Sequence, residues 1–184
     1  MDICDILVAR GDSLNLKNEE KSMIEVEIAM VRLDQEVKVP IVILKEKEGK
    51  SKRFLPIWIG VFEAFAIITE MEKHQVERPM THDLLKSVID SLGAVVVSVL
   101  VSDLKNDTFY AEISLRLSDG KVIKLDSRPS DAIALALRAK VPIYVSEDIM
   151  AKSGISPDSI NLDEKEQMKA ILSNLKPEDF ESKV

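Results

Sequence analysis

AVVVSVLVSDLKNDTFYAEISLRLSDGKVIKLD, residues Ala94 to Asp126, decides the fold. Ala94 to Leu104 is apolar on both faces, as a strand in the middle of a sheet is, and Lys105-Asn106-Asp107 turns it back. Phe109, Ala111, Ile113, Leu115 and Leu117 then alternate with Tyr110, Glu112, Ser114 and Arg116, the two-residue period of a half-buried strand. Ser118-Asp119-Gly120 turns the chain again, into Lys121 to Asp126. Strands joined in order by tight turns make an antiparallel meander, so the fold class is α+β with a mixed, largely antiparallel sheet and several packed helices.

On the C-terminal side, Ser127 to Pro129 opens an apolar helix, Ser130 to Lys140, followed by a short strand, Val141 to Val145, and a turn or two of helix, Ser146 to Lys152. On the N-terminal side, Leu84, Leu85, Val88, Ile89 and Leu92 share one helical face, with Thr81 as expected N-cap, Asp83 in the first turn and Gly93 as the stop. Before that helix, Arg53 to Ile59 reads as a strand running into a mostly buried helix, Val61 to Lys73. Met23 to Leu33 alternates as a strand, and Val39 to Leu44 is a second, which Pro40 suggests begins at a sheet edge. Residues 1–22 read as an extension and linker, 23–154 as one domain, and 155–184 as a helical tail in which Met168, Ile171, Leu172 and Leu175 are helically spaced. That tail is expected to pack on the domain or on a second subunit.

The junctions Gly60-Val61-Phe62-Glu63-Ala64-Phe65-Ala66-Ile67 and Arg128-Pro129-Ser130-Asp131-Ala132-Ile133-Ala134-Leu135 echo each other, each with an acid in the first turn of an Ala-rich helix. Duplication of a strand-helix unit and chance likeness between buried helix starts both account for the echo.

Bulk properties narrow the classes. A chain of 184 residues with 46% hydrophobic and 31% charged residues buries a core without disulfides or a structural metal. The single cysteine, Cys4, allows neither an intrachain disulfide nor a Cys-based zinc site and suits the cytoplasm. No apolar run reaches the roughly 18 residues of a membrane span, and acids stand near Met1 where a signal peptide carries bases. A formal net charge of -7 argues against passive coating of nucleic acid, so action on a polyanion needs a local basic patch or a bound cation.

No Walker loop, dinucleotide fingerprint, nucleophile elbow or His-Glu-x-x-His motif occurs. What remains is polar residues at element boundaries: Glu63, Thr81-His82-Asp83, and Asp126-Ser127-Arg128-Pro129-Ser130-Asp131. His82 is a general-base or metal-ligand candidate, or a residue bonded to a neighbouring loop while Thr81 and Asp83 serve the helix start. In the six-residue acid-rich segment the carboxylates suit Mg²⁺ or Mn²⁺ and Arg128 suits a phosphate oxygen. The same residues also make an elaborate helix cap with Arg128 paired to an acid. Glu63 is either a ligand or an internal cap, and His74 a solvated residue near a helix end.

The sequence resembles the bifunctional nuclease domain family, a group named for DNase and RNase activity of plant members. The resemblance is carried by Leu55-Pro56-Ile57-Trp58-Ile59-Gly60 with Glu63-Ala64, by Arg78-Pro79-Met80-Thr81-His82-Asp83-Leu84, by Phe109-Tyr110-Ala111, by Asp126 to Ala134 and by Pro142-Ile143-Tyr144-Val145. It implies an α+β domain, a homodimer, and hydrolysis of RNA or DNA phosphodiesters with low sequence specificity. It makes Glu63, His82, Asp83, Asp126, Arg128 and Asp131 the site candidates. A non-enzymatic regulatory or assembly module stands beside that reading, because the chain is acidic and its 4% aromatic content leaves few platforms for stacked bases.

Overall fold

Alternating apolar segments need a sheet to pair in, and in the computed structural model they form one. The structure describes residues 22–34, 37–48 and 53–156. In chain order the elements are β1 (Met23–Leu33), β2 (Pro40–Glu46), β3 (Phe54–Trp58), α1 (Val61–Met71), α2 (Thr81–Ser91), β4 (Val95–Lys105), β5 (Thr108–Arg116), β6 (Val122–Ser127), α3 (Pro129–Ala139), β7 (Ile143–Ser146) and α4 (Glu147–Ser153). The strands make one seven-stranded sheet in the order β3-β2-β1-β7-β4-β5-β6. All pairs are antiparallel except β4 with β7. The fold is thus α+β with a mixed, mostly antiparallel sheet.

The meander forms with Asn106 and Asp107 at φ of 48° and 58° in the β4–β5 turn, the left-handed pair that matches the twist of a two-residue hairpin. Gly93 ends α2 at φ 71°, where an L side chain would be strained. Two boundaries differ from expectation. Met80, not Thr81, is the N-cap of α2, because Asp83 reaches back to accept a hydrogen bond from the Met80 N–H at 2.8 Å and so caps the helix without a hydroxyl. Pro40 opens β2, which lies between β1 and β3 rather than at an edge; as the strand's first residue it stands where a missing N–H is tolerated.

The echo seen in sequence is part of a longer repeat. Three strands and a helix, β1-β2-β3-α1, recur as β4-β5-β6-α3, and the sheet order is palindromic about β7, with β1 and β4 flanking it in opposite directions. Helix α1 leaves one edge strand and α3 the other, and both pack into a common core. Val42, Leu44, Leu55, Ile57, Val99, Val101, Ala111 and Ile113 meet Ala64, Ile67 and Ile68 of α1 and Ala132, Ile133 and Leu135 of α3 there. Each fully buried Ile or Leu contributes roughly 1.5–3 kcal/mol. Ile41, Ile43 and Phe54 point to the opposite face, onto Ala29, Met30 and Ile155, so β2 is apolar on both sides. Arg53 ties β2 to α4 through Glu46 (3.1 Å) and Glu147 (2.8 Å), and its hydrogen bonds hold the Glu46 carboxyl below the usual carboxylate range. Among the described residues no helix is long and apolar enough to cross a membrane. The N-terminal extension and the helically spaced tail lie outside the described residues.

Candidate functional site

Each of the three long helices carries an acid at its third position: Glu63 in α1, Asp83 in α2 and Asp131 in α3. A carboxylate there meets unpaired backbone N–H groups and the positive end of the helix dipole. The fold brings these starts together, and one arginine links two of them. Arg128, the N-cap of α3, donates through Nε to Asp131 Oδ2 at 2.6 Å and through Nη2 to Asp131 Oδ1 at 3.0 Å, while Nη1 lies 2.9 Å from Glu63 Oε1. His82, from the first turn of α2, places Nε2 3.2 Å from Asp131 Oδ1. Glu63, Arg128, Asp131 and His82 therefore form one continuous polar chain.

Its exposure is graded. The His82 and Glu63 side chains are 12% and 18% exposed, Asp131 28%, and Arg128 66%, so the guanidinium is the part that solvent or a ligand meets first. Burial pushes the Asp131 carboxyl up, but hydrogen bonds from Arg128 and His82 outweigh it and hold the group below its ordinary range. The hydrogen bond to Asp131 raises Arg128 in turn.

The repeat explains the room for this arrangement. Gly60 in the first unit occupies the place that Arg128 takes in the second, each as the helix N-cap. A Cβ on Gly60 would lie 2.1 Å from Glu63 Oε2, so glycine there lets the Glu63 carboxylate fold over the start of its own helix and face Arg128. Backbone conformation is not the reason, since Gly60 has φ −71°. Gly60→Ala should therefore displace the Glu63 side chain and lose the part-exposed pair with Arg128, a cost of about 0.2–1 kcal/mol. In a Glu63→Ala background the same substitution should be neutral; urea midpoints of the four proteins check it, and an equal cost in both backgrounds would contradict the contact.

Two predicted site residues stand apart. Asp83 turns inward: besides capping α2 it accepts from Arg138 Nε at 2.5 Å. Its depressed pKa reflects burial overcome by the Met80 N–H and by Arg138. Asp126 pairs across the sheet with Glu112, whereas the next pair, Ser127 with Ala111, lies on the face that carries the helices and the buried Ala111. Successive strand residues point to opposite faces, so Asp126 is on the far side from His82.

Arg138 is the residue that sequence reading passed over. Its side chain is 4% exposed, and Nη1 donates to the carbonyls of Ala66 (3.2 Å) and Ala134 (3.0 Å), so one guanidinium joins α1, α2 and α3. A lone arginine in the otherwise apolar run Ala132 to Ala139 was the available signal.

The donor set does not gather as a metal site. Glu63 and Asp131 both turn onto Arg128, Asp83 turns onto Arg138, and Asp126 is on the other face; among the described residues no three His, Cys, Asp or Glu side chains converge at metal-binding spacing. What the cluster offers is the outer N–H groups of an exposed guanidinium that already pairs with two carboxylates, and an imidazole, one of whose nitrogens is oriented by a carboxylate, that can move a proton.

Comparison with known proteins agrees with the motifs. The profile of the bifunctional nuclease domain matches residues 42–158. An uncharacterized protein of Mycobacterium tuberculosis is 38% identical over 167 residues, covering 86% of this chain and 98% of the relative. Bifunctional nuclease 1 of Oryza sativa subsp. indica is 28% identical over 116 residues, 62% of this chain and 35% of that protein. Bifunctional nuclease 2 of Arabidopsis thaliana is 30% identical over 116 residues, with the same shares. The matched segment is thus about a third of the plant proteins' length. With the matched span enclosing all the residues of the polar chain, from Glu63 to Asp131, this protein belongs to the bifunctional nuclease domain family.

Proposed function

We propose that this protein cleaves phosphodiester bonds of nucleic acid with little sequence specificity, at the cluster formed by His82, Asp131, Arg128 and Glu63. The observation that carries the reading is the continuous chain of contacts from His82 through Asp131 to a two-thirds-exposed Arg128 at adjoining helix starts. The exposed edge of Arg128 receives a phosphate, a backbone group common to every sequence, which is why specificity is low. A neutral His82 that donates Nε2–H to Asp131 keeps a lone pair on Nδ1 as general base.

Single-stranded RNA fits this set best, because it brings its own nucleophile. His82 takes the proton of the 2′-hydroxyl, the 2′-oxygen attacks the adjacent phosphorus, the P–O5′ bond breaks, and the leaving oxygen takes a proton from water. Arg128 stabilises the charge that builds on the non-bridging oxygens. DNA requires the same base to activate a water. The plant relatives are named bifunctional nucleases, which supports a nucleic-acid substrate without choosing between RNA and DNA. The lone Cys4 supports action in the cytoplasm, and the unpartnered apolar surface of α2 supports a homodimer.

The test is incubation of highly purified protein with matched RNA and DNA oligonucleotides followed by analysis of the new ends. The expected result is RNA cleavage leaving 2′,3′-cyclic phosphate. Cleavage of DNA at an equal rate would replace the internal nucleophile with water, and intact strands of both would leave the cluster a structural cap in an assembly module.

A further inference from the structure

Helix α2 is held differently from its neighbours. Five residues of α1 and eight of α3 are buried, against Ile89 alone in α2. A helix that buries one side chain draws little positional constraint from packing. Polar contacts at its first turn then decide where it sits.

Those contacts come as a matched pair. His82 Nε2 lies 3.2 Å from Asp131 Oδ1, and the next residue, Asp83, accepts from Arg138 Nε at 2.5 Å. Asp131 and Arg138 are two turns apart on α3, which at 1.5 Å per residue sets them on one face about 10 Å from each other. Helix α3 thus offers an acid and a base in line, and α2 meets them with a base and an acid. One such contact leaves a helix free to swivel about it; two fix its position and its rotation.

The Arg138 end is the rigid one. Its side chain is 4% exposed, and Nη1 also donates to the carbonyls of Ala66 and Ala134, so the guanidinium is tied to the backbones of the helices that carry Glu63 and Asp131. Asp83 passes this placement on, because its other oxygen accepts the Met80 N–H at 2.8 Å, at the cap of α2. The Asp131 end is looser: that carboxylate is 28% exposed and is shared with Arg128.

We propose that Arg138 is the positioning residue of His82: through Asp83 it fixes the first turn of α2 so that the imidazole meets Asp131. The effect on cleavage rests on the function proposed above; the placement of the ring does not.

The experiment is NMR of the isotope-labelled full chain, which has two histidines, His82 and the exposed His74. A ring N–H that is bonded and shielded exchanges slowly with water and gives a signal. Wild type is expected to show one, absent from His82→Ala. The informative variant is Asp83→Asn with Arg138→Met, which removes both charges together, keeps an oxygen for the Met80 N–H and leaves no buried charge unpaired. Folded by circular dichroism, it should lose the signal and about 10²-fold in kcat for RNA, with KM little changed. Asp83→Asn alone, whose amide has one oxygen for two donors, is a second variant expected to lose the signal. Leu44→Ala, a truncation of a fully buried side chain in β2, lowers stability without touching the pair and should keep it. A signal retained in both Asp83 variants, one lost equally in Leu44→Ala, or a wild type without one would each overturn the proposal. A lost signal with cleavage intact would remove His82 from the chemistry and leave its positioning by Arg138 supported.

Discussion

With the proposed RNA cleavage, His82→Ala is expected to lower the rate by about 10²- to 10⁴-fold, the range that a positioned general base supplies. The side chain is only 12% exposed and makes a polar contact with Asp131, so truncation removes a proton acceptor and leaves the Arg128–Asp131 fork in place. Substrate affinity, which the proposal assigns to Arg128, should change little, and kcat should take the loss. Arg128→Ala separates the roles from the other side: it should remove the proposed phosphate contact and charge stabilisation together, with an expected loss of about 10²- to 10³-fold. Arg128→Lys recovers only part of that, since an ammonium cannot form the planar two-bond fork to Asp131. The check is single-turnover cleavage with protein in excess. Equal rates for wild type and His82→Ala would remove the imidazole from the chemistry.

Arg138→Leu is expected to have the largest effect on stability, about 3–5 kcal/mol. Its guanidinium is buried and joins three helices, so its loss leaves the Asp83 carboxylate without its cationic partner and takes a donor from the carbonyls of Ala66 and Ala134. The effect depends on pH, and its sign follows from Asp83. That carboxyl is depressed in the folded protein, so its pairing stabilises the fold above the unfolded value of about 3.9 and is lost as pH falls through the lower folded value. The gap between wild type and Arg138→Leu should therefore be full near pH 6 and shrink below about pH 4. Urea midpoints across that range measure it, and a gap under about 1 kcal/mol at pH 6 would mean that α2 is anchored by something else.

The parts of the fold that were legible are those where a local rule meets no competitor. Alternation from Phe109 to Leu117 places Ala111, Ile113 and Leu115 in the core, and Gly93 stops α2 because its positive φ suits glycine. The N-cap of α2 was displaced by one residue because a carboxylate at the third helical position did the work expected of the Thr81 hydroxyl. The duplication showed only as two alanines and an acid, since repeated strands share a period and not identities; the three-strand-plus-helix unit became visible through pairing order. Of the site, residue types were readable and distances were not. His82 and Asp131 are 49 positions apart, and nothing local to either predicts that α2 and α3 start side by side. Asp126 could have been set aside from sequence, since a strand residue one step from Ser127 faces the other way. Arg138 was hidden by its setting, an apolar helix in which a single basic residue reads as a surface position.

The most direct measurement is cleavage of labelled single-stranded RNA by wild type and by a folded Arg128→Ala, Asp131→Ala double variant, each purified to constant specific activity and assayed with Mg²⁺, Mn²⁺ or chelator. Cleavage by wild type that vanishes in the double variant, whose circular dichroism is unchanged, is the predicted result. Equal cleavage by the two proteins would contradict it and return Glu63, His82, Arg128 and Asp131 to the role of joining helix starts.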